Sequence, residues 1–156
     1  MFEAVLLTVI TAATPLLIAA IGELVVERSG VLNLGVEGMM IMGAVVGFAV
    51  ANVTGSGFLG VIAAIAAGMA MSSLFGFLVL GLVTNQVATG LALTILGLGI
   101  SGMIGEHFIG VPGLRLPELY IPGLSEIPFI GPVFFQQDAI VYAGFALVAL
   151  DSWVLF

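Results

Sequence analysis

Residues 38–105 read GMMIMGAVVGFAVANVTGSGFLGVIAAIAAGMAMSSLFGFLVLGLVTNQVATGLALTILGLGISGMIG, without one Asp, Glu, Lys or Arg. A bilayer crossing takes roughly 20 helical residues, so this interval holds about three crossings joined by short turns. In lipid every backbone polar group must be satisfied within the protein, which leaves helices or a closed barrel. Barrel strands alternate apolar and polar residues, and the run from Gly60 to Ala67 does not alternate. The expected class is therefore all-α, a polytopic transmembrane helical bundle.

The rest of the chain agrees. Of its 156 residues, 62% are hydrophobic and 7% charged, far below the charge of a soluble domain. Five spans are expected, at residues 4–22, 31–53, 58–83, 87–105 and 139–156, within a single transmembrane domain. Pro15 is expected to kink the first span. A polar turn is read over Glu23 to Gly30, and Asn52 to Gly57 and Thr84 to Gln86 form the next connections. Between Glu106 and Asp138 stand Pro112, Pro117, Pro122, Pro128 and Pro132, so loop 106–138 precedes the last span and lies outside the membrane or re-enters it.

The net charge is −7, with two arginines and no lysine. Polytopic proteins carry Lys and Arg in cytoplasmic loops, so basic segments are expected beyond residue 156, and the chain reads as part of a longer protein. Cysteine is absent. One His and no Cys exclude a conventional zinc cluster, and neither a phosphate-binding glycine loop with its Lys nor a nucleophile–base set is present. No cofactor, metal or catalytic residue is expected, and ATP hydrolysis is excluded for the chain itself. The sequon Asn52-Val53-Thr54 is read as a chance match. His107 reads as an interfacial residue.

Small residues recur at helical spacing: Gly43 and Gly47; Gly68, Ser72 and Gly76; Gly97, Ser101 and Gly105. Such stripes let helix backbones approach closely in lipid, and tight packing is their expected role. Polar residues at membrane depth are the candidates for function. Glu37 costs about 2.5–3.5 kcal/mol at mid-bilayer, so it either lines an aqueous path or caps a helix beginning near Gly38. Asn33 lines a path or caps a turn. Asn85 and Gln86 either solvate a turn or present amides to a solute. An apolar stretch interrupted by Asn33, Gly35 and Glu37 is the kind of break with which transporters expose backbone dipoles.

Three blocks carry a resemblance that covers essentially the whole chain. Gly22 to Met40, with Glu27-Arg28-Ser29-Gly30 and Asn33-Leu34-Gly35-Val36-Glu37-Gly38, is similar to a signature that follows the first span in permeases of nucleoside and simple-sugar ABC importers. Asn85 to Leu93 and Ile121 to Pro132 resemble two further blocks of that family. Branched-chain amino-acid permeases carry a related first block; Glu37-Gly38 and the proline loop favour the nucleoside branch. Asp151 departs from the family pattern, which is apolar there.

The resemblance implies an integral plasma-membrane subunit that translocates nucleosides or related small solutes by alternating access. It implies a second permease subunit, cytoplasmic ATPases, and a lipid-anchored extracytoplasmic solute-binding protein as partners, with membrane lipid around it and no nucleic acid. With five spans Arg28 and Arg115 fall on opposite sides and the positive-inside count is tied; the basic cytoplasmic coupling loop that the resemblance implies after the fifth span breaks the tie, placing the N-terminus outside, Arg28 and Asn85-Gln86 inside and the proline loop outside. The rival readings are a branched-chain amino-acid or sugar permease and, from another class, a structural or assembly protein without a path.

Overall fold

The computed structural model describes residues 2–114, 119, 135 and 137–155. These residues form helices joined by short connections, in the order α1 (Phe2–Arg28), α2 (Val36–Thr54), α3 (Gly57–Gly76) with a π-helical turn (Phe77–Gly81), α4 (Gln86–Gly105) with a 3-10 turn (Glu106–Phe108), and α5 (Ala139–Leu155). The all-α reading holds. Among the described residues four helices are long and apolar enough to cross a membrane, and the helix beginning at Ala139 is shorter.

Two compact units divide the chain, one of Met1–Val25 with Leu116–Phe156 and one of Val26–Arg115. In the first, α1 passes through Pro15 as one helix, and the hydroxyls of Thr11 and Thr14 donate to the carbonyls of Leu7 and Ile10. Asp138 immediately precedes α5, and its carboxylate accepts from the amides of Ile140 and Val141 at 3.1 and 3.0 Å. That satisfies two of the donors every helix start leaves without an intrahelical partner.

α1 does not stop at the polar turn read over Glu23 to Gly30 but continues to Arg28. Leu, Val, Glu and Arg all tolerate a helix; their charge marks a change of surroundings rather than a change of backbone. The stop comes at Gly30, with φ 86°. There the amide of Gly30 donates to the carbonyl of Glu27, and the amide of Val31 to that of Val26. This paired pattern ends helices and wants glycine at the left-handed position.

In the second unit α2 packs against both α3 and α4. Its buried cluster is small: Met39, Met71, Phe75, Val79 and Leu93, with Val31 and Met42 beside it. Large apolar side chains point outward instead, among them Ile95 at 71% exposure and Met103 at 73%. In water such a surface would be an aggregation liability; against lipid it is the solvated face. The 3-10 turn closes on α2 through an edge-to-face contact of Phe108 with Phe48, 6.0 Å between ring centres. Four of the loop's prolines, Pro117, Pro122, Pro128 and Pro132, lie outside the described residues; Pro112 lies in the irregular segment after Gly110.

Candidate functional site

Between α1 and α2 the chain leaves helical conformation over residues 29–35. Unwound backbone among apolar helices must have its N–H and C=O groups met by other parts of the protein. Side chains do this here, and two of the three come from α4. The amide of Leu32 donates to the Gln86 side-chain oxygen at 2.8 Å. The carbonyl of Leu34 accepts from the Thr94 hydroxyl at 3.1 Å. The amide of Gly35 donates to the Asn33 carboxamide oxygen at 2.9 Å.

Asn33 is buried, 7% exposed, and its amide nitrogen lies 3.6 Å from the Met39 sulfur, onto which the Ser72 hydroxyl also donates at 3.4 Å. α2 then starts at Val36. Glu37 stands exposed in its first turn, where the unpaired N–H groups of a helix start favour a carboxylate.

Glycine permits the approach of α4 to this break. A Cβ on Gly97 would sit 2.6 Å from the Gly38 carbonyl oxygen, and one on Gly38 would sit 2.6 Å from the Thr94 Cα. A Cβ on Gly90 would lie 2.9 Å from the amide nitrogens of both Leu34 and Gly35. Real Cβ atoms do not come this near to backbone, so Gly90 and Gly97 are required for the fit. Gln86, Gly90, Thr94 and Gly97 follow one another at three- and four-residue steps, and so occupy one face of α4. That face is the clamp on the break.

The four path candidates separate accordingly. Asn33 and Gln86 both bond to the backbone of the break. Glu37 follows the break on α2. Asn85 is the N-cap of α4, its oxygen accepting from the Ala88 amide at 3.0 Å, and it lies at the edge of an open depression beside α4. Among the small residues, Gly47 faces Ala64 and Gly60, while Gly43 lies 3.4 Å from the Ala64 carbonyl oxygen, both measured from a Cβ built on the glycine. Gly97 faces Gly38. Gly105 meets only the side chain of Val45, and nothing stands within 4 Å of a Cβ on Gly68 or Gly76. Ser72 reaches Met39, and Ser101 bonds within its own helix to the Leu98 carbonyl.

Gly90, Thr94, Gly38 and Gly60 are participants that sequence reasoning missed. Gly60 and Ala64 stand at small-xxx-small spacing and could have been found. Gly97 stands in the small-residue stripe, whereas Gly90, seven residues before it, could be picked out only by knowing that α4 faces the break.

Residues 5–155 match the family model for the permease component of the branched-chain amino acid transport system. Three curated relatives are similar to the chain. A Haloferax volcanii protein named as a glucose ABC transporter permease is 43% identical over 94% of the chain and 46% of its own length. The guanosine ABC transporter permease of Bacillus subtilis is 32% identical over 92% of the chain and 48% of its own length. The nucleoside ABC transporter permease of Lactococcus lactis is 29% identical over 92% of the chain and 49% of its own length. The chain thus spans about half the length of the curated relatives it matches. No solved structure matches it.

Proposed function

Because the chain belongs to the permease-component family of the branched-chain amino acid transport system and is a multi-pass protein of the plasma membrane, we propose that it supplies part of the path of an ATP-binding-cassette importer for nucleosides or related small polar solutes. One observation carries this reading: a stretch of non-helical backbone between apolar helices, its groups met by Gln86 and Thr94 of a neighbouring helix and by its own Asn33. A scaffold gains nothing from such a break, whereas a solute path uses it to offer polar groups at membrane depth.

In this reading the break and the start of α2 face the solute. Asn33 and Gln86 fix the backbone, Glu37 adds a carboxylate beside it, and Asn85 stands at the turn before α4. Transport proceeds by alternating access. A second permease subunit completes the path, separate cytoplasmic ATPase subunits hydrolyse ATP, and an extracytoplasmic binding protein delivers solute. The sequence carries neither a nucleophile–base set nor a phosphate-binding glycine loop with its Lys.

Nucleosides are favoured as solute because two of the three relatives bear nucleoside names. A second reading, a simple sugar such as glucose, is favoured by the 43% identity to the Haloferax protein. Reconstitution of the full-length permease with its partners in proteoliposomes separates them. Nucleosides are expected to be taken up on ATP addition, and unlabelled nucleosides, but not glucose or leucine, to compete. Uptake of glucose alone would move the assignment to sugars. If none of these solutes enters the vesicles or stimulates ATP hydrolysis, the transport reading falls.

A further inference from the structure

The connection from α3 to α4 stores strain beside a cavity. After Gly76 the backbone widens into the π-helical turn Phe77–Gly81, and the Leu82 amide donates to the Phe77 carbonyl at 3.1 Å. Val83 follows with φ 53°, the non-glycine residue with positive φ among those described. A β-branched side chain is a poor occupant of that region, and such a conformation persists only where its surroundings impose it. Packing does not impose it here, since Val83 is 83% exposed.

What holds it is Thr84. Its amide and its hydroxyl both donate to the Leu78 carbonyl, at 3.2 and 2.9 Å, and the hydroxyl also lies 2.9 Å from that of Thr89. The depression of about 520 Å³ lies directly alongside. Leu74 and Leu78 line one side, Ala92 and Leu96 the other, with Thr84 and Asn85 at one end. The strained turn and one wall of the cavity are therefore the same segment.

We propose that the π-helical turn and Val83 form a latch that holds this depression open, with Thr84 as its catch. A π turn contains one residue more than an α-helical turn needs. Returning it to α-helical register turns the chain after it by about 100°, reshapes the wall that Leu78 and Thr84 give the depression, and frees Val83 from the left-handed region. The open state is the strained one, so breaking the Thr84 bonds favours closure. The role of this latch in solute passage rests on the transport reading; its existence does not.

The test uses the full-length transporter in nanodiscs, cysteine-free except for Ala92→Cys on the cavity wall, with a small thiol reagent reporting access. Val83→Gly suits the positive φ and should keep the cysteine as reactive as in the parent or more so. Val83→Pro cannot hold a positive φ, and Thr84→Val removes both hydroxyl contacts. Each should slow labelling roughly tenfold relative to Val83→Gly, the effect expected from relieving strain of this kind. Thr84→Val leaves the backbone unrestricted and serves where the proline variant misfolds. Equal labelling in all backgrounds, or faster labelling with Thr84→Val, overturns the latch. Nucleoside uptake assayed on the same samples reads the transport role separately: absent uptake in the parent, with labelling still sensitive to Val83 and Thr84, would fault that role and leave the latch standing.

Discussion

Gln86 gives the break one acceptor, and its loss has a calculable consequence. Gln86→Ala removes the side-chain acceptor of the Leu32 amide, at the cost of one hydrogen bond, about 0.5–1.5 kcal/mol. Gln86→Glu keeps an acceptor in the first turn of α4, where a carboxylate is favoured. Thermal unfolding in detergent should therefore show a clear loss for the alanine variant and little for the glutamate; equal losses would remove Gln86 from the clamp. Gly97 supports a sharper contrast. Its Cβ would strike the backbone of Gly38, whereas nothing stands within 4 Å of a Cβ on Gly99. Gly97→Ala should destabilise by about 1–3 kcal/mol. Gly99→Ala, two residues away, should be neutral or stabilising by up to ~1 kcal/mol. Similar midpoints for the two variants would contradict the close helix crossing.

At the scale of elements, α4 matters most, because it both clamps the break and borders the depression. Its start depends on Asn85, whose carboxamide takes the Ala88 amide. Asn85→Ala should cost about 0.5–2 kcal/mol and speed hydrogen exchange at Ala88, while Asn85→Asp should restore protection. Unchanged exchange at Ala88 in the alanine variant would show that the cap contributes nothing. Much of this element was legible in advance. The charge-free run demanded helices, and the polar connection Thr84 to Gln86 marked where one begins, though not that Asn85 would cap it. The end of α1 was less so, since Glu23, Glu27 and Arg28 announce the edge of an apolar environment without ending a helix; the signal that does end it, Gly30, lay at the last residue of the expected turn. The π-helical turn has no signature in Phe77–Gly81, because the extra residue is selected by the bonds of Thr84 rather than by local propensity.

For the whole molecule, one constraint explains both what could be read and what could not. Lipid around the helices forces every backbone group to find a partner inside the protein, so a break among Asn33, Gly35 and Glu37 was visible as a polar interruption. Its partners were not visible, since Gln86 and Thr94 lie far along the chain and many glycines in α4 would have served equally well on paper. The central claim is that this break borders the solute path of an importer. The most direct measurement places a single cysteine at exposed Leu34 in the full-length transporter in membranes. It compares a charged, water-soluble thiol reagent with a lipid-soluble one, with and without nucleoside. The account predicts labelling by the charged reagent, slowed when nucleoside is present. Labelling by the lipid-soluble reagent alone, at a rate indifferent to nucleoside, would place the break against lipid and contradict it.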